Sequence, residues 1–317
     1  MDRLALGART AVRECLGVKA GEQVVVITDA GTREVGVSLW EQAREAGAEA
    51  ILVEIIPRSV HGEEPPAVVA ELMRISDVVL APTSKSLSHT KARREANAAG
   101  TRIATLPTIT ADIAERTLEA DYAAIARLSE QVAAVLSEGK KARLTTALGT
   151  DLSMDIEGRQ GEPDTGLYTE SGAFGNLPAG EAYIAPVEGT ASGVAVIDGA
   201  IAGIGLLDEP VRLVVENGYA IKIEGGAGAR QLEEMLAPFG SEGRNIAELG
   251  IGTNDRARLT GIILEDEKVL GTVHLALGNN ASFGGKVTVG IHLDGILTKP
   301  TLEVDGRVIM REGELTL

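Results

Sequence analysis

The chain has 317 residues, of which 44% are hydrophobic and 24% charged, a globular composition long enough for two domains. With 46 Asp+Glu against 30 Lys+Arg its net charge is −16, which argues against nucleic acid or an anionic membrane surface as a partner. A lone cysteine, Cys15, excludes an intrachain disulfide and any Cys-rich metal site. The scattered charges near the N-terminus and the lack of a long apolar run predict a cytoplasmic protein without signal peptide or membrane span.

Residues 4–16 have the periodicity of an amphipathic helix. A β-branched run, Gln23–Ala30, predicts a strand, and Arg33–Ala46 a helix closed by Gly47. The pattern then repeats. Strand Ala48–Ile56, helix Pro66–Arg74, strand Ser76–Thr83, helix Ser88–Ala99 with Gly100 after it, strand Thr101–Pro107 and helix Tyr122–Ser137 follow in order. Buried strands alternating with helices predict a parallel, Rossmann-like α/β layer. No G-x-G-x-x-G follows the first strand, so no dinucleotide is expected.

Near Glu138–Arg143 the rhythm changes to short alternating strands. Turn signals stand at Glu216-Asn217-Gly218, Ile197-Asp198-Gly199 and Val304-Asp305-Gly306, and only Gln231–Ala237 has clear helical character. The expectation is a Rossmann-like α/β domain over residues 1–140 and a β-rich α+β domain, with the chemistry, over 141–317.

The ligand-type residues gather in the last third. His292 and Asp294 are two apart on a strand and so share a face, and a hairpin could set His274 beside them. Two imidazoles and a carboxylate suit zinc with an open position or iron(II) with free positions. Glu181 follows the Pro178–Gly180 turn, and Glu248 stands in an apolar run where an unpaired charge is costly. A five-ligand site holding one or two divalent ions is the expectation. In the first domain His89 lies beyond the carboxyl end of a strand, where open α/β sheets bind ligands, with Arg93 and Arg94 one turn later. Capping of the helix by Ser86 or Ser88, with His89 merely solvated, is the alternative. His61 reads as a loop histidine. No G-x-S-x-G elbow is present, and Cys15 has no basic neighbour to activate it.

NLPAGEAYIAPVEGTASG, IAELGIGTN, the segment Glu265 to Gly278 and HLDG together resemble the ordered motifs of the aminopeptidase T family of metallopeptidases, which also contains 2,5-dihydroxypyridine dioxygenases. The similarity covers about residues 145–310, with a weaker echo at SKSLSHTKAR. In the peptidases it implies two metals held by Glu181, Glu248, His274, His292 and Asp294, with Glu248 bridging. In the dioxygenases it implies a single iron(II) on His274, His292 and Asp294, with His89 as an acid–base group. The peptidases carry a tyrosine seven residues after the first ligand histidine, and Ala281 stands there in this chain.

Three readings follow. The retained Glu181 and Glu248 favour an aminopeptidase-like hydrolase using zinc, cobalt or manganese, with metal-activated water and with Glu181 or His89 handling protons. The alternative is a non-haem iron(II) dioxygenase that opens a dihydroxypyridine-like ring. A non-catalytic member that keeps the fold is the third. The resemblance also suggests a homodimer acting on a small molecule or short peptide.

Overall fold

Val24, Val25, Val26 and Ile27 form an unbroken apolar run, and a strand of that kind is stable only with both faces covered. In the computed structural model, which describes residues 2–317, all four are buried within β1 (Gln23–Thr28). The first half continues with β2 (Glu49–Glu54), β3 (Val78–Ala81) and β4 (Arg102–Thr105). Between and around them run α1 (Arg3–Thr10), α2 (Arg33–Glu45), α3 (Ala67–Ile75), α4 (Lys91–Ala98) and α5 (Ala111–Thr117). Val69 and Met73 of α3 and Ala92 and Ala96 of α4 pack on Val25, Ile27, Val79 and Ile103. Against α2, Gly36 lets the helix lie directly on Thr28, where any Cβ would collide.

The helix α6 (Tyr122–Glu138) leads into the second half. Its strands are β5 (Lys141–Thr145), β6 (Asp151–Asp155), β7 (Glu162–Asp164), β8 (Phe174–Asn176), β9 (Glu181–Ile184), β10 (Ser192–Ile197), β11 (Ala200–Ile201) and β12 (Gly205–Leu206). There follow β13 (Val211–Glu216), β14 (Tyr219–Glu224), helix α7 (Ala227–Leu236), β15 (Ile246–Gly252), the short helix α8 (Ile263–Asp266), β16 (Val273–Gly278) and β17 (His292–Leu297). The chain closes with β18 (Thr301–Val304), β19 (Arg307–Arg311) and β20 (Glu314–Leu315).

Three sheets result. The first is parallel, in the order β2-β1-β3-β4-β8. The second has eight strands in the order β14-β13-β10-β6-β5-β18-β19-β20, and the third has seven, β12-β11-β17-β16-β15-β9-β7. Ala182, Ile184, Leu249, Ile251, Leu275 and Leu277 of the seven-stranded sheet share one apolar cluster with Leu144, Leu152, Ala195, Leu213 and Leu302 of the eight-stranded sheet. The two antiparallel sheets therefore pack face to face.

The chain divides into one unit of Met1–Ala126 with Thr165–Ala179 and another of Arg127–Asp164 with Gly180–Leu317. The division falls inside α6, ahead of the expected residue 140. The excursion Thr165–Ala179, which composition does not mark, supplies β8 to the parallel sheet. Two of the three expected turns close hairpins, at Asn217-Gly218 and Asp305-Gly306, both with positive φ. The third does not. Asp198-Gly199 carries the chain from β10 in one antiparallel sheet to β11 in the other, with Asp198 accepting from the Thr298 amide and hydroxyl.

Candidate metal centre

The face of the seven-stranded sheet opposite the apolar cluster carries the chemistry. Strand alternation puts Leu249 and Ile251 of β15 into the core and turns Glu248, Gly250 and Gly252 the other way. In register, Gly252 pairs with Glu181, Gly250 lies between Tyr183 and His274, Ala276 lies between Glu248 and Asp294, and Gly278 faces His292. Each ligand-type residue thus stands beside a glycine or alanine. The small neighbours make room: at Gly250 a Cβ would overlap the His274 ring, and at Gly252 it would overlap the Val269 carbonyl.

Four of the five expected ligands are buried, and His292 is half-buried. His274 Nε2 stands 3.1 Å from Glu181 Oε2 and 3.3 Å from Glu248 Oε1. His292 Nε2 stands 3.4 Å from both Glu248 Oε2 and Asp294 Oδ1. Two three-residue groups with metal-ligand geometry result, Glu181/Glu248/His274 and Glu248/His292/Asp294, with Glu248 common to both. His292 donates its Nδ1 hydrogen to the Asn279 carbonyl at 2.8 Å, which leaves Nε2 aimed at the carboxylates.

The electrostatics follow from these distances. Burial alone would lower His292, but Asp294 and Glu248 raise it to about 10. Burial also opposes the charged form of His274, yet the carboxylates of Glu181 and Glu248 beside it hold it well above its usual range. Asp294 is pushed up by burial and pulled down further by His292, to about 2. Burial dominates at Glu248 and raises it.

Lys268, Glu267 and Tyr183 belong to the same face and are absent from the sequence expectations. Lys268 is only 1% exposed and donates to Glu181 Oε1 at 2.5 Å and Glu267 Oε1 at 2.8 Å, with Asp164 Oδ2 at 3.5 Å. Burial first, then the charges of Glu181 and Asp294, push Glu267 up to about 8 against the pull of Lys268. Phe283 lies edge-on to Tyr183 and to His292, with ring centroids 5.4 and 6.0 Å apart. In the sequence, Lys268 is masked by its acidic neighbours Glu265–Glu267. Tyr183 was detectable, since it is two residues from Glu181 and so shares its face.

The other candidates lie in the first unit. His89 is exposed in the turn before α4, whose cap is Thr90 rather than Ser86 or Ser88. Arg93 stacks on Phe174 at 4.0 Å and donates to the Ser88 carbonyl, while Arg94 donates to the carbonyl of His89. Those bonds secure the local turn. His61 accepts a hydrogen bond from the Ser86 amide at Nδ1.

Whether a cation suits the centre can be judged from its unmet polar atoms. Glu181 Oε2, Asp294 Oδ1 and His274 Nδ1 are buried without a hydrogen-bond partner among the described residues. The two oxygens approach ring nitrogens without the alignment of a hydrogen bond. Buried carboxylates and imidazoles that converge but do not satisfy one another fit a divalent cation.

A centre of this kind on an antiparallel sheet, in a chain that also has a parallel α/β unit, defines a metal-dependent enzyme. The chain belongs to the 2,5-dihydroxypyridine 5,6-dioxygenase (NicX) family, whose model matches residues 7–317. Among solved structures it is similar to 2,5-dihydroxypyridine dioxygenase from Pseudomonas putida KT2440, with a TM-score of 0.83 and 19% identity over 100% of this chain and 98% of that one. It is also similar to wild-type AmpT from Thermus thermophilus, with a TM-score of 0.74 and 18% identity over 99% of each chain. At these identities the likeness is one of fold. No curated protein matches the sequence.

Proposed function

We propose that the protein is a non-haem iron(II) dioxygenase that opens a dihydroxypyridine-like ring. This reverses the order of the two readings drawn from sequence, in which retention of Glu181 and Glu248 favoured a hydrolase. The observation that carries it is the family match across residues 7–317. Two features of the centre agree. The peptidase tyrosine position is Ala281, exposed in a short turn with no phenol to offer an oxyanion. Glu181, the extra carboxylate that favoured two metals, already has an ammonium partner in Lys268.

In this reading His274, His292 and Asp294 would hold the metal, as the resemblance implies, and Glu248 lies within reach of both histidines. Iron(II), when bound, supplies the one-electron chemistry by which ground-state O2 attacks a closed-shell aromatic ring. The protein residues do the rest. The Asn279 carbonyl fixes the tautomer of His292. Half-buried His292, flanked by the edge of Phe283, gives a flat ring a partly apolar place to lie. Tyr183, whose phenol is raised by burial and then by Glu181, stays protonated and can donate a hydrogen bond. His89 remains a proposed proton carrier on the strength of the resemblance. Its variant H89Q should lose turnover and keep its metal. In the overall reaction the ring bond between C5 and C6 breaks and both atoms of O2 enter the product, so no external reductant is needed.

Protein loaded anaerobically with iron(II) and given 2,5-dihydroxypyridine should consume O2 in equal amounts with loss of the ring. Release of amino acids from short peptides with zinc, cobalt or manganese, and no O2 uptake with the pyridine, would overturn the reading.

A further inference from the structure

The ammonium of Lys268 sits on Glu181, the outermost member of the Glu181/Glu248/His274 group. Its three carboxylate neighbours, Glu181, Glu267 and Asp164, come at 2.5, 2.8 and 3.5 Å from three different stretches of chain. A point surrounded by carboxylate oxygens is the usual environment of a hard divalent cation. Here a side chain of the protein fills it.

Lys268 is also held there by more than its charge. The turn after α8 runs close over β15, because Gly252 has no side chain to meet the Val269 carbonyl. The Lys268 carbonyl accepts the Asn254 amide at 2.9 Å, and the Lys268 amide donates to the Glu265 carbonyl at 2.9 Å. With the backbone pinned on both sides, a buried lysine has one direction in which its charge is neutralised, toward Glu181. Lysine is suited to this use because its ammonium is a compact point charge, whereas the arginine fork is broad and planar.

The consequence falls on Glu181. Of its two oxygens, Oε1 receives the lysine and Oε2 points at His274. Glu181 is one corner of the Glu181/Glu248/His274 group and takes no part in the Glu248/His292/Asp294 group. A second divalent ion beside Glu181 would face a fixed positive charge on the same carboxylate. Among the described residues Glu248, His292 and Asp294 form no ion pair with a lysine, and Asp294 Oδ1 has no hydrogen-bond partner.

We infer that Lys268 is a built-in cation beside Glu181 that opposes a second ion at the Glu181/Glu248/His274 group and limits the centre to a single divalent ion. Lys268 is then a positioning residue, since it acts through Glu181 rather than on the substrate. The inference rests on the metal-centre reading above, and the test separates the two.

Manganese(II) serves as the probe, with metal content measured by mass spectrometry and the ion environment by electron paramagnetic resonance. Wild-type protein should bind one ion even in excess manganese, with the resolved hyperfine pattern of an isolated centre. K268A should bind two, and their spin coupling should broaden or abolish that pattern. K268R, which keeps the charge, should return to one ion, as should the double variant K268A/E181Q. If K268A fails to fold, K268Q repeats the arm with a neutral side chain that still reaches Glu181. One ion in wild type and one in a folded K268A or K268Q would overturn the role of Lys268 and leave the single-metal reading intact. Two ions in wild type would overturn both, and no bound ion in wild type would do the same.

Discussion

At Gly250 the missing side chain is itself the functional feature. The His274 ring takes up the volume that any Cβ would claim, while the backbone of Gly250 continues the ladder between β9 and β16. The variant G250A should therefore separate fold from site. Overpacking of this kind costs about 1–3 kcal/mol, which a two-unit protein survives. Displacing a ligand imidazole should weaken metal binding by more than about tenfold. Chelator competition alongside a thermal melt makes the comparison, and normal metal affinity in G250A would contradict the assignment of His274. A second residue-scale prediction concerns His61, far in sequence from the centre. Burial and then the charge of Lys85 hold it below its ordinary 6.5, so the neutral ring accepting the Ser86 amide is the favoured form. That contribution is complete above the unfolded value and is lost as pH falls through the lower folded one. Amide exchange at Ser86, corrected for its intrinsic rate, should accelerate as the pH falls below the ordinary histidine value of 6.5 and should lose this dependence in H61F. An unchanged pH profile in H61F would refute it.

Among the elements, the connection from β16 to β17 matters most, because it carries Phe283 to the side of His292. Glu188 ties it down. Its Oε1 accepts Asn280 Nδ2 at 3.0 Å and the Lys286 amide at 2.7 Å, while Oε2 binds Arg159 at 2.5 Å, and Arg159 in turn donates to the Gly284 carbonyl. Burial opposes the ionised form of Glu188, but these donors win and lower its pKa. The clamp is thus intact above the ordinary carboxylate value of 4.5 and releases as pH falls below it. Charged hydrogen bonds of this sort are worth about 1.5–3 kcal/mol when well shielded and less at a partly exposed site. E188A should raise KM by about fivefold to tenfold with metal content unchanged, and an unaltered KM would show that the loop does not shape the substrate site.

The same scale shows what could be read in the sequence. The parallel strands were legible because Val24–Ile27 and Val78–Ala81 are buried on both faces and so are apolar without interruption. β8 was not, since a three-residue strand that returns from the other unit has no local pattern to announce it. Glu181, Glu248, His274, His292 and Asp294 were legible as polar residues in apolar strands, and the structure brings all five together. Lys268 was hidden because its burial depends on the turn lying over Gly252, a tertiary fact invisible in an acidic stretch. The alternation E-x-G-x-G and H-x-A-x-G, with small residues two and four after a ligand, was the available signal that these strands open a cavity for side chains.

For the molecule as a whole, the division of labour is plain in the histidines. His61 and His89 lie in the parallel unit, and His274 and His292 lie at the centre of the antiparallel one. An acidic chain of this kind has concentrated buried carboxylates on one sheet face, where each unpaired charge would cost several kcal/mol. Lys268 and a divalent ion offset that cost, so the face makes sense as a metal centre and not as packing. The fold is common to a dioxygenase and to AmpT, so the reaction must be decided by chemistry and not by shape. The most direct measurement is turnover of 2,5-dihydroxypyridine by the iron(II)-loaded protein under ¹⁸O2, read by mass spectrometry of the ring-opened product. A ring-cleaving dioxygenase predicts both labelled atoms in that product. A ring-opened product without ¹⁸O, its new oxygen drawn only from unlabelled water, or no ring opening at all, would contradict it.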